Sequence, residues 1–169
     1  MGNSEVVIER LAEYSPDDAA ALGVLLHAES PDRPPTPLPE RMIRDHIDHP
    51  DQRVMIVARL ATTGMIVSSE TLNTICSPDV GVEGIGKMAW LGFVSTHPYY
   101  RRQGIFGKVW YEGLGWCEEN EAAVMQFTSN PHNTNREAAR RFYLEHGAII
   151  KDTDPFWLDV QKALAIEAQ

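Results

Sequence analysis

The stretch Leu91–Lys108, LGFVSTHPYYRRQGIFGK, constrains the chain more than any other, because within it an extended run must stop and a helix must start. Pro98 lacks a backbone donor and drives His97 away from the α region, so the strand that reaches Thr96 ends there. From Arg101 onward two cations and Gly104 stand in what reads as the first turn of a helix beginning near Arg102. First-turn N–H groups have no partners inside their helix and the helix dipole is positive there. The segment is therefore expected to hold an anion, and a phosphate best of all. Gly104 has no Cβ and lets such a ligand come close to the main chain.

A chain of 169 residues, 43% of them hydrophobic, is long enough for one domain whose core needs no staples. Cys76 and Cys117 stand in no C-x-x-C or other ligand spacing, so they are expected to pack as small apolar residues rather than as disulfide or zinc ligands. No apolar run of spanning length and no signal-type N-terminus is present, and the expectation is a soluble, cytoplasmic protein. Lys and Arg number 15 against 24 Asp and Glu, a formal charge of −9, which speaks against nucleic acid and for a cationic acceptor.

Val6-Val7-Ile8 with Leu11 reads as a first strand. Ser15-Pro16-Asp17-Asp18 then opens a helix: Ser15 caps it, Pro16 takes the first helical position and Asp18 closes a capping box. Leu22, Leu25 and Leu26 give that helix a buried face. Ser30–Pro39 holds five prolines in ten residues and is a loop. Leu38–His49 reads as a second helix, and Val54–Leu60 with Met65–Leu72 as a hairpin turning at Gly64. Cys76–Lys87 is a Gly-rich loop leading back to a central strand, Trp90–Thr96.

Beyond the central segment, Phe106, Val109, Trp110, Leu114 and Cys117 stripe a helix reaching about Asn120. Gly113 and Gly115 cost it up to about 1 kcal/mol each and imply close packing against a neighbour. Ala122–Thr128 is a short buried strand, and Thr134–Glu137 is a capping box opening a helix with Ala138, Ala139, Phe142 and Tyr143 on one side, closed at Gly147. Ala148–Lys151 and Phe156–Val160, split by Asp154-Pro155, form a last antiparallel pair.

Three other patterns are set aside on context. Gly84–Ala89 matches a dinucleotide fingerprint, but Trp90–Thr96 after it reads as strand where that site needs a helix. Gly104–Lys108 is no Walker loop, since Arg102 stands where a Gly and Val109 where a hydroxyl is required. His46 and His49, three apart beside Asp45 and Asp48, read as a solvated helix face rather than a metal site.

Arg101, Arg102, Gln103, Gly104 and Ile105 resemble the acyl-CoA signature of the GCN5-related N-acetyltransferase family, in which Gln or Arg, two residues, Gly, one residue and then Gly or Ala follow a strand. Phe106 departs from it, with Gly107 one step late. A second signature, Ala, two residues, Phe-Tyr, three residues, Gly, stands as Ala139, Phe142, Tyr143 and Gly147, with Ala148 where an aromatic is usual. Strand, two helices, hairpin, central strand, signature helix, strand, helix and last hairpin is also that family's order across nearly the whole chain.

The resemblance implies an α/β (α+β) fold. A mixed, mostly antiparallel sheet of six to seven strands, with the fourth and fifth splayed, is flanked by about four helices in one domain spanning residues 1–169. It implies acetyl-CoA as co-substrate, a primary amine as acceptor and no metal, and a homodimer is common among similar proteins; charge and the lack of a spanning run add the expectation of no nucleic-acid or membrane partner. Coenzyme contacts would come from Val94, Ser95 and Thr96, from Arg101, Arg102, Gln103, Gly104, Ile105, Phe106, Gly107 and Lys108, and from Asn135 and Tyr143. Residues 31–44 and 71–87 would wall the acceptor site.

Acetyl transfer from a thioester needs a neutral amine, a donor for the developing oxyanion and a proton for the departing thiolate. The N–H near Val94 is the candidate oxyanion donor, and Tyr143 occupies the family's proton-donor position. The central strand carries no carboxylate, so Glu70 on the neighbouring strand, His97 and a water chain to solvent are the candidates for taking the amine's proton. A non-catalytic acyl-CoA-binding module is the rival reading.

Overall fold

The computed structural model describes residues 5–29, 34–76, 86–127, 136–150 and 156–167. Seven strands, β1 (Val6–Arg10), β2 (Arg53–Leu60), β3 (Ile66–Cys76), β4 (Lys87–Thr96), β5 (Val124–Phe127), β6 (Ile149–Ile150) and β7 (Phe156–Asp159), form one sheet in the order β1-β2-β3-β4-β5-β7-β6. Every neighbouring pair is antiparallel except β4 and β5. The helices are α1 (Pro16–Glu29), α2 (Glu40–Ile47), α3 (Ile105–Glu119), α4 (Arg136–Glu145) and α5 (Val160–Glu167). Among the described residues no helix is long and apolar enough to cross a membrane.

Two apolar layers flank the sheet, and β2 feeds both because successive strand side chains point to opposite faces. Met55 and Val57 join Leu22 and Leu25 of α1 and Ile43 of α2 in one layer, while Ile56 joins Leu72 of β3 and Val109, Trp110 and Leu114 of α3 in the other. The start of α1 follows local chemistry, with the Asp18 N–H donating to Ser15 Oγ at 3.4 Å. Asp18 does not close the box, however. Its carboxylate is held by Arg59 of β2 in two bonds of 2.6 and 2.7 Å, and Arg59 Nε also donates to Glu9 at 2.5 Å. A paired guanidinium fork outcompetes a single backbone N–H for that carboxylate.

Several boundaries differ from the sequence expectation. β3 continues to Cys76 and β4 starts at Lys87, paired residue for residue from Thr74–Ala89 to Cys76–Lys87. Lys87–Ala89 of the Gly84–Ala89 pattern are thus strand, and residues 77–85 lie outside the described ones. α2 starts at Glu40 because Pro39 caps it with an extended ψ of 133°. α5 is an addition: Asp159 accepts the Lys162 N–H at 3.1 Å and so turns the last strand into a helix. α3 starts at Ile105 rather than near Arg102, because Arg102 (φ 62°) and Gly104 (φ 73°) are both left-handed.

Gly113 and Gly115 part company. A Cβ at Gly113 would overlap Glu70 Oε1 and lie 3.1 Å from Leu72 Cδ1, so α3 sits down on β3 there, as expected. A Cβ at Gly115 would meet no atom of the described residues within 4 Å, so no close packing there calls for glycine. The feature that creates a site is the partial pairing of β4. Among the described residues it meets β5 only through Met88–Trp90 opposite Val124–Gln126 and runs on to Thr96, so the pairing of the two strands stops at Trp90.

Candidate functional site

Where β4 and β5 part, the end of β4, the loop after it, the first turn of α3 and one face of α4 enclose a cleft of about 670 Å³. Val94, Ser95 and Thr96 of β4, Arg101, Arg102 and Gly104 of the loop, Ile105, Phe106 and Gly107 of α3, and Tyr143 of α4 all line it. Sequence reading placed each of these at a coenzyme site, and the fold brings them into one wall. Gln103 and Lys108 are not part of that wall: the Gln103 amide donates to the Tyr99 carbonyl at 3.1 Å, and Lys108 is exposed. Asn135 lies outside the described residues. Glu29, Pro98, Tyr100, Ala138, Ala139 and Phe142 line the cleft as well.

The loop is built as the sequence requires up to Tyr100. His97 and Pro98 end β4, and a single 3-10 turn, Pro98–Tyr100, follows with His97 Nδ1 accepting the Tyr99 N–H at 3.4 Å. Two left-handed residues then bring the chain to Ile105. The first bond into α3 is Lys108 N–H to Gly104 O at 3.3 Å, so the N–H groups of Ile105, Phe106 and Gly107 have no partner inside the helix. A Cβ at Gly104 would meet nothing within 4 Å among the described residues, so the positive φ, not crowding, selects glycine there.

Arg101 does not reach into open space. Its Nε donates to Thr96 O at 2.9 Å and its Nη2 to Glu29 Oε1 at 2.7 Å, tying the end of β4 to the end of α1. Phe106 shows why an aromatic can replace the small residue of the signature. Its ring packs on Phe142 at 5.1 Å and Trp110 at 6.2 Å between centroids, while its N–H stays in the first turn.

Tyr143 is 5% exposed, with its ring 4.3 Å from Phe127 and 5.4 Å from Trp110. Burial, and after it the negative charges of Glu70 and Glu29, push its hydroxyl above the ordinary tyrosine value, so the group keeps its proton. His97 is shifted the other way, below 6.5, by burial first and Arg101 second. Its ring stacks on Tyr99 at 5.5 Å and does not line the cleft.

Glu70 is not at the cleft either. It is fully buried beneath Gly113, and neither carboxyl oxygen has a hydrogen-bond partner among the described residues. Burial first, and the charge of Glu112 second, hold its carboxyl well above 4.5. Between the unfolded and folded values the native state therefore carries a proton that the unfolded chain has lost. Stability is full below the unfolded value and falls as pH rises toward the folded one, by at most about 1.4 kcal/mol per pH unit. Glu70→Gln is neutral at every pH, so its gain in urea midpoint over the wild type should grow as pH rises above the ordinary carboxylate range. Parallel stability curves for the two proteins would show that the carboxyl ionises normally.

Two site features escaped sequence reading. β4 bulges opposite β3: Ser69 pairs with Ser95 and Thr71 with Gly92, leaving Phe93 at φ 43°. No glycine, asparagine or aspartate marks that position, so no local signal announces it. Glu29 had a signal, because a carboxylate in the last turn of a helix opposes the dipole. Cys117 is buried in the core as expected, with its thiol pushed up by burial first and Glu70 second. Cys76 ends β3, and its side chain lies outside what is described. His46 is buried with Nδ1 bonded to the Met42 carbonyl at 2.9 Å, while His49 is exposed. Among the described residues no group of three His, Cys, Asp or Glu is placed to hold a metal.

No family model and no curated protein matches the chain by sequence. Solved structures do match by shape. Glucosamine-6-phosphate N-acetyltransferase of Arabidopsis thaliana superposes with a TM-score of 0.69 at 15% identity, over 89% of this chain and 96% of its own. An acetyltransferase of Trypanosoma brucei gives 0.66 at 17% over 89% and 97%, and a Bacillus halodurans protein described as a transcriptional regulator gives 0.67 at 20% over 89% and 96%. With β4 and β5 parallel and splayed, and α3 beginning at the mouth of the gap, the chain has the fold of the GCN5-related N-acetyltransferases.

Proposed function

We propose that the protein is an N-acetyltransferase that moves an acetyl group from acetyl-CoA to a primary amine by direct attack within a ternary complex. The observation that carries this reading is the cleft itself. One space is bordered by the bare N–H groups of Ile105–Gly107, by the stretch of β4 that has left β5, and by a tyrosine that keeps its proton.

In this reading the α3 first turn binds the diphosphate, with exposed Arg102 adding positive charge. Main-chain groups of Val94 and Thr96 pair with the pantetheine arm as a further strand would. The Val94 N–H serves the developing oxyanion, and Tyr143 gives its proton to the departing sulfur. The nitrogen–carbonyl bond forms as the carbon–sulfur bond breaks. The amine's proton passes through water, since neither Glu70 nor His97 lines the cleft. The chain thus yields an acetamide and a thiol, with no acyl group carried on a cysteine.

Calorimetry with CoA and acetyl-CoA is the first test, followed by thiol release against a panel of amines. The absence of any heat of association would remove the reading. Gly104→Ala sharpens the test. The left-handed backbone makes a methyl cost only about 1–2 kcal/mol in the free protein, while the methyl stands beside the N–H groups assigned to the diphosphate. CoA affinity should fall roughly tenfold, by about 1.4 kcal/mol, and unchanged affinity would move the diphosphate elsewhere.

A second reading, a module that binds acyl-CoA without turnover, is favoured by the same absence of Glu70 and His97 from the cleft wall. Tight CoA binding with no thiol released by any amine, peptide or protein lysine would decide for it.

A further inference from the structure

Glu29 is the one carboxylate among the described residues lining the cleft, and the proposed transfer gives it no part. It ends α1, where the helix dipole disfavours negative charge, and it is only 8% exposed. Local physics would not place a carboxylate there. Its Oε1 is occupied, accepting from Arg101 Nη2 at 2.7 Å and from Ser95 Oγ at 3.5 Å. Its Oε2 is buried and has no hydrogen-bond partner among the described residues. Leaving such an oxygen without a donor costs about 1–3 kcal/mol, and more when the group is charged.

The missing partner must bring a proton, because a carboxylate oxygen only accepts. The coenzyme's diphosphate is thereby ruled out, being itself an acceptor and an anion. Glu29 lines the cleft, so a donor that enters there can meet this carboxylate. Tyr143 stands in the same wall, close enough for its hydroxyl to feel the charge of Glu29. A nucleophile between the two would lie beside both a proton acceptor and a proton donor.

We propose that Glu29 Oε2 accepts an N–H of the amine to be acylated, orienting that amine in the cleft and selecting N–H donors over acceptor-only groups. The proposal rests on the acetyl-transfer reading and adds a substrate-binding residue to it. Arg101 holds the other carboxylate oxygen and keeps the side chain against the cleft wall. It is a positioning residue.

The test compares wild type with Glu29→Gln, each loaded with CoA and titrated with spermidine, lysine methyl ester and glucosamine by saturation-transfer NMR. CoA affinity and thermal midpoint are measured alongside. Gln keeps the length and an oxygen for Arg101 but puts an NH2 donor where Oε2 accepts. At least one amine should bind the loaded wild type and bind Glu29→Gln about tenfold more weakly, with CoA affinity and midpoint unchanged. Equal binding to both proteins, or binding to neither while CoA binds both, overturns the proposal and leaves the acetyl-CoA assignment intact. Weakened CoA binding or a lowered midpoint in the variant also overturns it, by showing a coenzyme or structural role. Should CoA bind neither protein, the underlying reading falls first.

Discussion

Tyr143→Phe is expected to lower turnover about a hundredfold while leaving CoA affinity unchanged, measured as thiol release and by calorimetry. The argument rests on how little else the substitution touches. The ring stays packed on Phe127, Trp110 and Phe156, with centroids 4.3, 5.4 and 5.9 Å away, so the fold keeps its apolar contacts. Only the hydroxyl is lost, and its surroundings hold its proton. Burial is the larger cause, followed by the charges of Glu70 and Glu29, both of which oppose a phenolate. The sign sets the pH behaviour: a raised value means the acid is still present as pH climbs through about 10, where an ordinary tyrosine would be losing it. Wild-type turnover should accordingly show no alkaline limb from this group below that pH. If Tyr143→Phe turns over like the wild type, the tyrosine only packs.

Gly23→Ala carries the largest expected cost in stability. Gly23 lies within α1, where an alanine would ordinarily help by about 1 kcal/mol. Here the chain 34–39 lies directly against the helix, with the Leu38 N–H donating to the Ala19 carbonyl at 2.9 Å. A Cβ at Gly23 would overlap the Thr36 carbonyl oxygen and stand 2.7 Å from its carbon and 3.1 Å from Pro37 Cα. All three are backbone atoms and cannot rotate away. Either α1 moves or the bond to Leu38 breaks, and overpacking of this kind outweighs the gain in helix propensity. The net loss should be about 2–3 kcal/mol, lowering Tm by roughly 5–10 °C. Gly115→Ala is the control. With nothing within 4 Å, the same substitution in α3 should raise stability by about 0.5–1 kcal/mol. Equal effects at the two sites would show that the contact between α1 and residues 34–39 does not hold in solution.

The residues of this chain, read in order, already determine the pieces whose causes are local. Ser15 and Pro16 start α1, His97 and Pro98 stop β4, and Gly147 closes α4 in the left-handed conformation. Missing donors, capping oxygens and a glycine that closes a helix act within a few residues, so neighbours in sequence suffice to reveal them. The cleft wall was legible for the same reason, since Val94–Thr96 and, apart from Gln103, Arg101–Gly107 all line it and lie close together in sequence.

Tertiary structure alone decided which carboxylate faces the cleft. Glu70 looked available as an isolated charge on a strand, but α3 settles over it at Gly113 and seals it. Glu29 ends α1 with no sequence motif around it, and at the site it is held by Arg101, 72 residues further on. The bulge at Phe93 and the parting of β4 from β5 depend on which strands lie alongside and in what register. Burial and cross-chain pairing are set by residues far apart in sequence, and no local pattern of charge or hydrophobicity encodes which distant partner arrives.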